Sequence, residues 1–195
     1  MGAIEKRTTA ADFELRNTDG PNPGTVVGYA AVFNKLSHDL GGFREQISPF
    51  AFTDASMGGD IMALYNHDSS QVLGRARSGT LRVAPDTAGL HFELDLSTSS
   101  YAVDLWKGLM RNDITGASFG FTIAKDDWAQ DAAGMPVRTI NEVAQLFEVS
   151  ITAMPAYPDT SVAVASMRSF QQQSEALQNR AASERRQRIM RLCGA

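Results

Sequence analysis

Apolar and polar residues alternate with a period of two along several short stretches of the chain, the mark of half-buried strands. The clearest is residues 90–96, where Leu90, Phe92, Leu94 and Leu96 face one way and His91, Glu93 and Asp95 the other. Residues 25–33 are β-branched and aromatic and predict a core strand. Residues 43–47 and 61–65 predict two more, the second a continuous apolar run. Residues 72–77 and 80–83 predict a hairpin about Ser78-Gly79. Residues 137–140 and 142–151 predict the last long strands, and 161–165 a short edge strand. Helical spacing is rarer. Ser48-Pro49 carries a helix-start signature running to about Ser56. Thr98 or Ser99 caps a helix to about Arg111, with Ala102, Leu105, Trp106 and Leu109 as its apolar stripe.

One stretch departs from the ordinary strand pattern. In residues 114–123, Phe119, Phe121 and Ile123 share a greasy face, while Gly116, Ser118, Gly120 and Thr122 share the other. Glycine inside a strand often marks the close approach of another backbone or a ligand. Ser118 therefore stands on a face almost bare of side chains, open to an extended peptide. A small-residue face covered by a helix is the plainer reading of the same pattern.

Strands that do not alternate with helices disfavour a doubly wound parallel sheet. The pattern predicts a mainly β domain with flanking helices (α+β), a closed, mostly antiparallel β-barrel over residues 25–165. Residues 1–24 read as a strand-poor arm and loop dense in turn formers, and residues 166–195 as a polar Arg/Gln-rich tail, flexible or a lone helix.

Composition narrows the function classes. A hydrophobic fraction of 43% and a charged fraction of 21% are those of a soluble globular chain. No apolar run reaches the roughly 20 residues a membrane span needs, and the charged N-terminus has no signal-peptide core. The one cysteine, Cys193, excludes a disulfide framework and any multi-cysteine metal site, and in the polar tail it is a poor nucleophile candidate. No cofactor or metal is called for. The net charge of −4 is split: residues 166–195 carry six arginines against two glutamates, leaving twelve basic and twenty acidic side chains elsewhere. That acidic body disfavours nucleic-acid binding outside the tail.

A serine hydroxyl needs a neighbouring base to become a nucleophile. The histidines are His38, His67 and His91. His38 lies in a polar, glycine-rich loop with nothing to orient it, and His91 shares a solvated strand face with Glu93 and Asp95. His67 ends the most hydrophobic strand, where a rigid element can hold it. A third group should orient the base. Strand parity in residues 142–151 puts Val143, Phe147, Val149 and Ile151 on one face and Leu146, Glu148 and Ser150 on the other. Glu148 is thus an isolated carboxylate in an apolar strand, to be explained by a salt bridge or a catalytic partner. Lys107 and Lys125, alternatives for a Ser–Lys dyad, stand on a helix and on the wrong strand face.

Five pieces in order carry a resemblance: residues 28–33 (GYAAVF), 47–52 (ISPFAF), 64–68 (LYNHD) with 72–75 (VLGR), 116–121 (GASFGF) and 147–156 (FEVSITAMPA). Together the chain resembles the prohead (capsid maturation) serine proteases of HK97-like tailed phages, over roughly residues 25–165. That family is similar in fold to herpesvirus assemblins. The resemblance implies Ser118 as nucleophile, His67 as general base and Glu148 as third member, with His91 as the alternative because assemblins use a second histidine. Arg75 and backbone N–H groups are candidates for the oxyanion. It implies a serine endopeptidase cleaving the major capsid or scaffold protein, and itself, inside the assembling prohead in the bacterial cytoplasm, and leaves self-association open. The alternative is a non-catalytic capsid-assembly module that binds coat protein.

Overall fold

The computed structural model describes residues 3–153 and 161–192 and divides into two units, Met1–Asp159 and Thr160–Ala195. Within the first unit the elements run β1 (Glu5–Ala10), β2 (Glu14–Arg16), β3 (Thr25–Val32), β4 (Arg44–Ile47), α1 (Asp54–Met57), β5 (Met62–Tyr65), β6 (Asp68–Arg75), β7 (Leu81–Pro85), β8 (Gly89–Asp95), α2 (Ser100–Met110), β9 (Gly116–Gln130) and β10 (Pro136–Thr152). The second unit is the helix α3 (Ser161–Leu192).

The mainly β character stands, but the closed barrel does not. The strands form two open sheets, one ordered β1-β9-β10-β5-β6 with β4 also on β10, the other β2-β3-β8-β7. Pairing is mixed as well, since β4 and β5 run parallel to β10 at Val137–Ile140 and Glu148–Ile151. Alternation says which residues are buried; it is silent on whether the first and last strands of a sheet meet.

The alternating residues do form the core. Leu90, Phe92, Leu94 and Leu96 are buried together with Phe119, Phe121, Leu146 and Val149 in one apolar cluster spanning both sheets. Phe119 stacks on Phe121 at 4.6 Å between ring centroids. Helix α2 buries Ala102, Leu105, Trp106 and Leu109, the expected stripe, and begins after its N-cap Ser99.

Four local expectations change. Ser48-Pro49 starts a turn, closed by Ala51 N–H donating to Ser48 O at 3.0 Å. The helix begins later, where the Thr53 and Ser56 side chains cap each other's backbone N–H. β6 and β7 are not a hairpin: they pair with β5 and β8 in different sheets, because Leu73 and Leu81 both enter the core. Residues 161–165 are helical, not an edge strand. The arm expected to lack strands holds β1 and β2.

The long antiparallel pair β9–β10 is the frame of the domain, and its register is broken by bulges, one of them between Leu146 and Glu148. A bulge places one extra residue on its strand and reverses side-chain parity across itself. Leu146 is therefore buried to 1% exposure in the core while Phe147 is only half-buried, the opposite of the unbroken alternation. Beyond the bulge the expected parity holds: Val149 and Ile151 lie opposite Phe119 and Ala117, and Glu148 and Ser150 opposite Gly120 and Ser118.

A candidate serine–histidine–glutamate site

His67 sits in the two-residue turn between β5 and β6, where Tyr65 pairs with Asp68. Asn66 and His67 both have positive φ, 51° and 61°, as the primed hairpin turns require. Asn tolerates that region; histidine does so at a cost of about 1 kcal/mol or more. The turn is tied to the end of β10: Asn66 N–H donates to Ile151 O at 3.0 Å, and Asn66 Oδ1 accepts from Ala153 N–H at 3.1 Å. The strained residue is thus fixed beside the strand that carries Glu148.

His67 Nδ1 lies 2.5 Å from Glu148 Oε1. The Ser150 hydroxyl donates to the other carboxylate oxygen, and Glu148 and Ser150 are both buried. Space for the carboxylate comes from Gly120. A Cβ there would stand 2.8 Å from Glu148 Oε1 and 3.0 Å from its Cγ. Part of the bare face of β9 is therefore filled by Glu148. Among the described residues the partners of Glu148 are His67 and Ser150, with no Lys or Arg.

Ser118 lies on the same face, opposite Ser150 and diagonal to Glu148, a separation of roughly 7–8 Å on such a sheet. It is not open to an extended peptide, being buried at 0% exposure. Its hydroxyl donates to Arg7 O at 2.8 Å and accepts from Thr8 Oγ1 at 3.1 Å. No hydrogen bond joins Ser118 to His67 among the described residues, and His67 Nε2 makes none there. The register brings Ser118 and Glu148 to one face, and Glu148 engages His67 while the serine is turned to β1.

The other candidates fall elsewhere. His91 is on β8 in the second sheet, edge-on to Tyr29 at 5.3 Å. His38 and Lys125 are exposed, and Lys107 pairs with Asp104 at 3.2 Å. Arg75 reaches Asp60 at 3.2 Å. Cys193 lies outside the described residues. Among those described, no group of three or more His, Cys, Asp or Glu is arranged to hold a metal ion, and no helix is long and apolar enough to cross a membrane.

Two polar features were not anticipated from the sequence. Ser150 was read only as a face-mate of Glu148; its signal was a hydroxyl two residues away on the same buried face. The second is a buried ionic network on the core side of the sheet. Arg7 Nε and Nη2 reach Glu45 at 2.6 and 2.9 Å, and Nη2 reaches Glu5 at 2.5 Å. Arg138 reaches Glu5 at 3.0 Å, Glu45 at 3.3 Å and Asp126 at 2.5 Å. Burial alone would lower the pKa of Arg7, but Glu45 and then Glu5 outweigh it and leave the guanidinium above its ordinary value. In Arg138 burial is likewise outweighed, by Glu5, Glu45 and Asp126.

Comparison with known proteins bears on the family of the chain. The family model described as caudovirus prohead serine protease matches residues 11–175. The prohead protease of Enterobacteria phage HK97 is 28% identical over 167 residues, covering 84% of this chain and 69% of that protein. No solved structure matches the chain.

Proposed function

The chain belongs to the caudovirus prohead serine protease family, a family of capsid-maturation proteases, and from that premise we propose that it is a serine endopeptidase with Ser118 as nucleophile. Its substrate is the major capsid protein or its scaffold segment, and its own chain, inside the assembling prohead. The observation that carries this is the contact of His67 Nδ1 with Glu148 Oε1, on the face that also bears Ser118. It fixes the imidazole so that Nδ1 holds the proton facing the carboxylate and Nε2 is left as the base.

In the reaction, Ser118 Oγ attacks the scissile carbonyl carbon as His67 Nε2 takes its proton. Glu148 stabilises the imidazolium that forms, and Ser150 holds the Glu148 carboxylate in place. The imidazolium passes its proton to the departing amine, leaving an acyl ester on Ser118. Water then adds to the ester carbon, giving its proton to His67, and the peptide acid leaves as Ser118 regains a proton.

The test is co-expression with the coat protein of the same genome. Wild type should give a shortened coat product. Ser118→Ala should stay folded by circular dichroism and lose roughly four to six orders of magnitude in rate, as loss of a triad nucleophile does. Coat protein trimmed at the wild-type rate by the variant would reject the assignment. One observation favours a second reading, a non-catalytic assembly module: the Ser118 hydroxyl is engaged by β1. Coat binding with no cleavage by wild type under any condition would select it.

A further inference from the structure

Strand β1 lies antiparallel on β9 from Glu5↔Phe121 to Ala10↔Gly116, with Thr8 opposite Ser118. It precedes residues 11–175, the part that the family model matches. The bond from Ala11 N–H to Thr115 O, 2.8 Å, sets the phase of the ladder. Odd-numbered residues of β1 exchange backbone bonds with β9, and Thr8 and Ser118 form a non-hydrogen-bonded pair, the closer of the two kinds. That proximity brings Thr8 Oγ1 and Arg7 O to the Ser118 hydroxyl.

A serine hydroxyl has one proton to donate. Donated to Arg7 O, it is not available to His67 Nε2, and the nucleophile is unactivated although its base is already oriented. β1 is not lightly held. Glu5 and Arg7 point to the core side and join the network with Glu45 and Arg138. Withdrawing them would leave buried charges uncompensated, a strongly unfavourable change.

We propose that β1 is an intramolecular latch that keeps the peptidase dormant, and that the site becomes competent when β1 leaves the edge of β9. The proposal rests on Ser118 being the nucleophile, and its test separates the two. Full-length protein is treated with a fluorophosphonate probe, and modification of residue 118 is followed by mass spectrometry, with Ser118→Ala as the blank. Thr9→Pro removes an N–H that binds β9 without touching the network; it should label at least tenfold faster than wild type. In a Cys193→Ser background, Ala10→Cys/Gly116→Cys places a disulfide across the neighbouring non-hydrogen-bonded pair. The oxidised form should not label, and reduction should restore the slow wild-type rate. If Thr9→Pro does not fold, this pair decides alone. Equal labelling of the oxidised and reduced forms overturns the latch while leaving Ser118 as the nucleophile. No labelling of Ser118 in any form overturns both.

Discussion

On one face of β9, Arg7 and Arg138 meet Glu5, Glu45 and Asp126, each arginine bonded to more than one carboxylate. On the opposite face, Ser118, Glu148 and Ser150 are gathered by the register of the same two long strands, and His67 joins them from the β5–β6 turn through Glu148. Both clusters are polar and largely buried, only His67 and Asp126 being half-buried, so burial of polar groups alone does not mark a reactive site. The difference is saturation. In the network each charge has an opposite charge within bonding distance, and Arg7 and Arg138 also lie over Phe121 and Trp128 at 5.8 and 5.7 Å. Such groups have no capacity left for a substrate. On the other face His67 Nε2 has no partner among the described residues, and Thr152 Oγ1, two residues beyond Ser150, is a buried hydroxyl without one. Unused hydrogen-bonding capacity is the property a reacting peptide needs.

Breaking the reactive face should cost rate and leave stability largely alone. Glu148→Gln keeps the shape of the side chain and removes the charge that stabilises the imidazolium. A loss of roughly 10⁴-fold in kcat is expected, the size seen for the same change in another triad, with the melting temperature close to wild type. His91→Ala, on the second sheet against Tyr29, should stay within about twofold, as surface changes away from a site do. Coat-cleavage rates for the two variants check this. A reversal of the two effects would move the third member to His91 and undo the assignment made from the 2.5 Å contact.

Breaking the charged face should do the opposite. Arg138→Met leaves Glu5, Glu45 and Asp126 with one arginine between them. The expected loss is about 3–5 kcal/mol of unfolding free energy, the usual cost of removing one partner from a buried ion pair, measured by urea titration. Because Glu5 and Arg7 anchor β1, the folded variant should also label faster at Ser118. A fall in labelling per folded molecule would show that the network supports the site and does not restrain it.

These two faces were unequally legible in the sequence. His67 and Glu148 stood out as polar residues in apolar strands, and the Gly-Ser-Gly face of β9 as a place for a close approach. The approaching groups are the Glu148 carboxylate and β1. β1 itself was invisible for a physical reason. Its inward positions are Glu5 and Arg7 and its outward ones Lys6 and Thr8, so no apolar alternation betrays a strand whose buried side is ionic. The bulge at Phe147 was hidden for another reason: Leu146 and Phe147 are both apolar, and either could have faced the core. Closure failed for a third, since a pleat pattern is the same in an open sheet and a barrel.

The finest distinction is between a residue that reacts and one that holds another in place. Ser150 makes no hydrogen bond to His67 among the described residues; its hydroxyl donates to Glu148, which makes it a positioning residue. A hydrogen bond to a charged group is worth about 1.5–3 kcal/mol, and only the part felt by the imidazolium in the transition state reaches the rate. Ser150→Ala should therefore lower kcat by roughly tenfold, with KM unchanged, because no group that binds the peptide has been removed. A purely structural loss would instead lower the active fraction and leave kcat per titrated site intact. Ser150→Thr returns the hydroxyl to the same carboxylate and should recover most of the rate. Active-site titration beside steady-state kinetics on a coat-derived peptide separates these outcomes. If kcat per site is unchanged in Ser150→Ala, the serine only fills space between β9 and β10, and Glu148 is held by His67 and the strand alone.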